Sequence, residues 1–232
     1  MLDALKREVC EANRQLQRLG LVTLTWGNTS GVDRGRGLMV IKPSGVPYED
    51  LQPAQMVVLD LAGNVVEGDL RPSVDSPTHA CLYAHFPHLG GITHTHSRYA
   101  TAFAQARCEV PCLGTTHADQ FCGPVPVTRQ LSEAEVAEDY EGWTGRVIVE
   151  RFRGLDSLAT PAVLVAGHAP FAWGRSPAES VHTALALETI CQMAVLSWRI
   201  NPQTPELEAY LCRKHYLRKH GPEASYGQKL DV

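Results

Sequence analysis

Leu89-Gly90-Gly91-Ile92-Thr93-His94-Thr95-His96 reads as a short strand of small, apolar, β-compatible residues that closes on a His-x-His pair. Alternate side chains of a strand share one face, so His94 and His96 can meet one metal ion. A helix is predicted on either side of this strand, one from Ser76-Pro77 toward Phe86 and one from about Arg98 to Ala106. Strand and helix thus alternate around the pair, which is the pattern of an α/β fold. Two further ligand candidates stand at element ends: Asp75 just before the Ser76-Pro77 helix start, and His168 after the apolar strand Ala162 to Ala166. Three imidazoles and a carboxylate suit a divalent transition metal, with Zn²⁺ the expected ion. An isolated His-x-His also fits a solvated strand edge, but the additional candidates tell against that reading.

Outward from this core, Leu2, Leu5, Val9, Ala12, Leu16 and Leu19 recur at helical spacing before Gly20, the residue type expected just past a helix end. Leu21 to Trp26, Leu38 to Ile41, Met56 to Asp60 and Val65 to Val66 read as strands, the last two joined in a hairpin through Ala62-Gly63-Asn64. Ser132-Glu133-Ala134-Glu135 and Ser176-Pro177-Ala178-Glu179 are Ser-x-x-Glu capping boxes, and the second opens a long, mostly buried helix. Val125 to Val127, Arg146 to Glu150 and Ala162 to Ala166, rich in valine or isoleucine, are predicted to complete the sheet. No linker, repeat or low-complexity tract divides the chain. The expectation is one domain over residues 1–232, three layers α/β/α with a central, mainly antiparallel sheet.

The 232 residues suffice for a sizeable core. A formal charge of -4 and 20% charged residues argue against disorder and against nucleic acid as a partner. The seven cysteines, at 10, 81, 108, 112, 122, 191 and 212, form no Cys-x-x-Cys pair, and their odd number suits a reducing cytoplasm better than a secreted disulfide framework. The N-terminal stretch is too charged for a signal peptide, and no stretch of about 18 apolar residues calls for a membrane.

Zinc in a structural site usually recruits cysteine; here histidine and aspartate dominate the candidates, which favours a catalytic ion. Such a Lewis acid can polarise a carbonyl and stabilise an enediolate, as aldol, epimerisation and dehydration chemistry all require. Trp26-Gly27-Asn28-Thr29-Ser30-Gly31 and Lys42-Pro43-Ser44-Gly45 are read as turns able to aim backbone N–H groups at an anion, or equally as ordinary loops; Lys42 favours phosphate. The basic run Arg213 to His220 fits either an anion site or a solvated helix end. Local sequence gives Asp119 and Tyr226 no role, and His79, His117 and His182 are expected to be structural.

Seven ordered motifs together are similar to the class II aldolase/adducin family, in its pentulose-phosphate epimerase branch. They are Thr25-Trp26-Gly27-Asn28, Ile41 to Gly45, Asp75 to His79, His94 to Ser97, Gly114 to Asp119, His168 to Gly174 and Lys214 to Gly221. The resemblance implies a class II aldolase-like fold and a Zn²⁺ ion on Asp75, His94, His96 and His168. It places Gly27, Asn28, Ser44, Gly45 and Ser73 around substrate, with Lys42 nearby, and makes Asp119 and Tyr226 a proton donor/acceptor pair. The implied reaction is inversion at C4 of L-ribulose 5-phosphate, giving D-xylulose 5-phosphate by retro-aldol cleavage and recombination. The implied assembly is a homotetramer with sites between subunits.

One position departs from that pattern: relatives often have Ser-Ser-Asp where this chain has Ser73-Val74-Asp75, so a hydroxyl expected near phosphate is lost. The rival enzymatic expectation is a sugar-phosphate aldolase. Asp75 argues against it, because the aldolases of the family carry a glutamate there that also serves as base. The rival of another class is a non-catalytic, adducin-like interaction domain, which retention of all four ligand candidates disfavours.

Overall fold

The apolar stripe at the N-terminus forms α1 (Asp3–Arg18), with Val9, Ala12 and Leu16 buried and Gly20 past its end at φ +69°. The computed structural model describes residues 2–225. In chain order there follow β1 (Asn28–Asp33), β2 (Leu38–Ile41), β3 (Val57–Asp60), β4 (Val65–Glu67), α2 (Ser76–His85), β5 (Gly91–His94), α3 (Arg98–Ala106), α4 (Thr115–Ala118), α5 (Glu133–Arg151), β6 (Ala162–Leu164), β7 (Pro170–Gly174), α6 (Pro177–Ile200) and α7 (Ala209–His220). The strands form one seven-stranded antiparallel sheet in the order β4-β3-β2-β1-β5-β7-β6.

Side-chain alternation divides the interior into two sides. Met39, Ile41, Val57, Leu59, Ile92, Val163, Phe171 and Trp173 face the layer of α2 and α5, where Leu82, Tyr83 and Ile148 meet them. The alternate residues face the other layer: Val40 and Val58 pack with Val9 of α1, while Ala162, Leu164 and Ala172 pack with α3 and α6. Three α/β/α layers around a mainly antiparallel sheet are therefore what the period-2 and period-3.6 patterns specify. Among the described residues no helix is long and apolar enough to cross a membrane.

Four local expectations are overturned. Leu21 to Trp26 is not a strand; Leu24 at φ +53° interrupts it, and Gly27 at φ +91° turns the chain just past its end. The strand comes next, at Asn28–Asp33, in residues read as a turn. These polar residues pair because partners await each of them. Asn13 of α1 both accepts from the Thr29 N–H (2.8 Å) and donates to its carbonyl (2.9 Å), and Ser30 Oγ meets His79 and Tyr83 of α2. Arg146 to Glu150 is not a strand either. It continues α5 from the Ser132 capping box, and Val147 and Ile148 are buried on that helix, so tertiary packing overrides their β propensity. Val125 to Val127 contributes only isolated bridges, at Val125 and Val127. The strand Pro170–Gly174, absent from the expectation, fills the place between β5 and β6.

The Gly90-Gly91 pair lets β5 run beneath the start of α6. A Cβ at Gly91 would lie 2.4 Å from the Pro177 nitrogen and the Ser176 carbonyl, both backbone atoms that cannot swing aside. Gly91→Ala is expected to lower unfolding stability by roughly 1–3 kcal/mol or more, read by denaturant titration. Gly114→Ala, whose Cβ meets open space, should be close to neutral by the same measurement.

Candidate metal centre and substrate pocket

Register on the sheet assembles the site. Asn28 of β1 pairs with His94 of β5, and His94 pairs with Phe171 of β7, so the three stand side by side at one end of the sheet. His168 lies in the tight β6–β7 connection, where the Val165 N–H donates to the Ala169 carbonyl, the His168 N–H donates back to the Val165 carbonyl, and Gly167 turns the chain at φ +72°. The imidazoles of His94, His96 and His168 thereby come together, each offering one nitrogen within 4.8 Å of the others. Asp75 enters from the start of α2.

Each donor is held. His94 Nδ1 sits 3.0 Å from the Pro170 carbonyl, and its ring stacks on Phe171 at 4.3 Å, which fixes the ring and leaves Nε2 inward. His94 Nε2 and His96 Nε2 are 3.2 Å apart, and buried His168 Nδ1 has no hydrogen-bond partner. Burial, reinforced by the neighbouring imidazoles, pushes His96 down to about 4 and His168 to about 3. Both are neutral at pH 7 and need shed no proton to bind a cation. Burial by itself would raise the Asp75 carboxyl; His94, His79, the Asn28 amide and His168 outweigh it and keep the group ionised. Close-set lone pairs, an orphaned ring nitrogen and an ionised carboxylate alongside fit a divalent metal.

Asp75, the fourth ligand expected from the sequence, is not part of that three-histidine group, and its carboxylate is engaged elsewhere. Its Oδ2 accepts from Asn28 Nδ2 at 2.6 Å, and Ser73 Oγ donates to it at 3.3 Å. Asn28 is 2% exposed, and its Oδ1 has no donor.

A pocket of about 340 Å³ contains all of this. Its walls carry Gly27, Asn28, Lys42, Ser44, Gly45, Ser73, Val74, Asp75, His94, His96 and His168, so every substrate and metal candidate read from the sequence comes to one cavity. Gly27 is obligatory: its φ is +91° and a Cβ would lie 2.7 Å from the His94 carbonyl, while the Tyr48 hydroxyl, shared between the Trp26 and Gly27 carbonyls, ties this loop down. Lys42 is buried at 2% exposure. Its ammonium donates to the Pro43 carbonyl at 3.2 Å and lies 4.9 Å over the Tyr48 ring, with no carboxylate paired to it among the described residues. Burial pushes it down to about 8. The Ser44 N–H, expected to face an anion, is committed to the Arg71 carbonyl at 2.9 Å, leaving the Ser44 hydroxyl, the Gly45 N–H and Lys42 as donors there. Val74 is exposed at the rim.

Sequence reasoning missed Tyr140 and Glu141, which also line the pocket. They follow a break in α5 at Asp139 (φ -167°, ψ 84°), whose carboxylate accepts from the Gly142 N–H like a helix cap. The only local signal is that Asp-x-x-Gly spacing.

Asp119 does not line this pocket. It ends α4 and is gripped by α7: Arg218 donates to both carboxylate oxygens (2.9 and 3.0 Å), His215 Nδ1 lies 3.1 Å away, and His220 Nε2 is 3.0 Å from the Asp119 carbonyl. The basic run thus serves an internal carboxylate. Tyr226 lies outside the described residues. His79 and His117 are buried structural histidines, bonded to Ser30 and to the Gly123 carbonyl.

The Class II Aldolase and Adducin N-terminal domain matches residues 7–195, and the chain belongs to that family. Among solved structures, an L-fuculose 1-phosphate aldolase superposes with TM-score 0.77 at 24% identity, over 91% of this chain and 94% of that one. YgbL from Klebsiella pneumoniae gives 0.71 at 24% over 92% and 99%. L-fuculose-1-phosphate aldolase from Thermus thermophilus gives 0.64 at 24% over 88% and 98%. At these identities the likeness establishes the fold.

Proposed function

We propose that this chain is a divalent-metal enzyme, zinc being the expected ion, that inverts C4 of L-ribulose 5-phosphate to give D-xylulose 5-phosphate. The observation that supports the reading is one pocket lined by three imidazoles close enough to share a cation and by a buried ammonium with no carboxylate paired to it among the described residues. A pentulose phosphate has matching ends: an oxygen-rich ketose head for the metal and a compact dianion for Lys42. A volume of about 340 Å³ suits such a substrate.

His94, His96 and His168 would hold the metal with Asp75, and the ion would supply Lewis-acid stabilisation of the charge that develops when C3–C4 cleaves. Lys42 and the Ser44 hydroxyl bind the phosphate. Asn28 orients the carboxylate of Asp75 through its amide nitrogen and offers its free Oδ1 to a substrate hydroxyl. Cleavage yields the enediolate of dihydroxyacetone and glycolaldehyde phosphate; rotation of the aldehyde before recombination inverts C4. Asp119 and Tyr226 exchange protons with the C4 oxygen from opposite faces. The reading extends to a cytoplasmic homotetramer of one-domain chains with sites between subunits.

A sugar-phosphate aldolase is the second reading, favoured by the fold likeness to fuculose-phosphate aldolases. The engagement of Asp75 with Asn28 and Ser73 supports the epimerase instead, since it leaves this carboxylate less free to act as a base. Metal-replete protein incubated with L-ribulose 5-phosphate is expected to build up D-xylulose 5-phosphate. Accumulation of free glycolaldehyde phosphate without the epimer would establish the aldolase, and no turnover at full metal loading would favour a non-catalytic domain.

Lys42→Met is expected to raise KM roughly 10- to 100-fold, the equivalent of losing a charge-assisted hydrogen bond, with kcat less affected. In the unsubstituted enzyme the ammonium is protonated below about 8 and neutral above it, so kcat/KM should fall as pH rises through that value. The alkaline limb should vanish in Lys42→Met. Persistence of the limb, or an unchanged KM, would move the phosphate elsewhere.

A further inference from the structure

Two cysteines 100 positions apart in the sequence meet in the fold. Cys112 Sγ, on the segment leading into α4, lies 3.8 Å from Cys212 Sγ in the first turn of α7. Their backbones are already tied close by, for the Leu207 N–H donates to the Cys112 carbonyl at 2.7 Å. No other two cysteines among the described residues make a sulfur–sulfur contact.

We infer that Cys112 and Cys212 are a peroxide-oxidisable dithiol whose disulfide staples α7 to the body of the protein. The pair lines a cavity of about 440 Å³ beside Cys122, wide enough for a small oxidant. Cys212 is partly exposed and Cys112 buried, which sets the order of events. Burial keeps Cys112 from oxidant and pushes its thiol up, so the more exposed Cys212 meets oxidant first. Cys212 attacks hydrogen peroxide, the O–O bond breaks, and sulfenic acid and one water form. Cys112 sulfur then attacks the sulfenic sulfur; the S–O bond breaks, and the departing hydroxide leaves as a second water with the Cys112 proton. Two thiols lose two electrons and one peroxide gains them.

The consequence lies in what α7 carries. His215 and Arg218, one and two turns beyond Cys212, hold the Asp119 carboxylate. In the reduced protein α7 is held by noncovalent contacts, including that charge cluster; in the oxidised protein its first turn is covalently fixed to the segment that begins α4. The loop closed spans about 100 residues, the range in which a cross-link restricts the unfolded chain most strongly.

The test uses the full chain, reduced, desalted and treated with stoichiometric hydrogen peroxide. Free thiols titrated in denaturant should fall from seven to five, and non-reducing peptide mapping should recover Cys112 joined to Cys212. Cys212→Ser should keep its six remaining thiols, and Cys112→Ser should lose only the Cys212 thiol, as a sulfenic acid with no cross-link, while Cys122→Ser should still lose two. Oxidation should raise Tm by roughly 5–10 °C and slow tryptic cleavage after Arg213 and Lys214 several-fold, both reversed by dithiothreitol. In the unsubstituted protein a count that stays at seven, thiols lost without a cross-link, a cross-link through Cys122, or a disulfide-linked dimer on a non-reducing gel would each overturn the inference. Should either pair variant fail to fold, the peptide map and Cys122→Ser decide.

Discussion

His94→Asn is expected to lose the bound divalent metal and to cut turnover by roughly 10³-fold, the equivalent of several kcal/mol of transition-state charge stabilisation. The position is the most constrained of the three imidazoles. Its ring is held by the Pro170 carbonyl and by Phe171, and its backbone is paired on both sides by β1 and β7. Asparagine keeps a polar side chain at the strand end but cannot reach the same centre, so the fold should survive while the site fails. Metal analysis should give about one ion per unsubstituted chain and far less in the variant, with an unchanged far-ultraviolet dichroism spectrum. Chelation of the unsubstituted protein should reproduce the loss, and added zinc should reverse it only where His94 is present. Full metal content together with full turnover in His94→Asn would remove the imidazole cluster from the mechanism.

How much of this was legible in the sequence follows from where each signal resides. The Leu89-to-His96 stretch carries its own fold information: small residues where α6 crosses, an apolar residue at Ile92 for the α2/α5 side, and histidine where the strand ends. The helices announced by Ser132 and Ser176 begin where their caps say, because capping is a local interaction. β1 was illegible because its stability lies in partners far along the chain. Asn13, His79 and Tyr83 satisfy a polar strand that propensity alone reads as a turn. The Val147-Ile148 stretch misled for the converse reason, since its β-branched residues are buried on a helix. The pocket residues came from turns and element ends with conspicuous side chains, whereas Tyr140 and Glu141 sit mid-helix at a break that only the backbone reveals. Asp119 was legible as a residue and not as a location, since its partners, His215 and Arg218, are about 100 positions away.

Asp119→Asn is expected to lower epimerisation on the order of 10²-fold, as loss of a positioned acid/base does, and to leave the metal bound. The geometry makes this variant decisive about assembly. Within one chain the Asp119 carboxylate is engaged by α7 and does not line the pocket that holds the three imidazoles. If it handles protons at substrate, it does so at the pocket of a neighbouring chain, with α7 holding it in place. Asp119→Asn chains, whose metal pockets are intact, should then be rescued by His94→Asn chains, whose carboxylates are intact. In an equimolar, randomly assembled ring each head-to-tail site draws its metal pocket from one chain and its carboxylate from the next, so roughly a quarter of the sites combine two intact halves. Recovery to about that fraction of the unsubstituted rate would establish shared sites. A mixture no more active than its components would confine the site to one chain and leave Asp119 the work of anchoring α7, in which case the Asp119→Asn protein should show a lowered Tm in place of a specific kinetic defect.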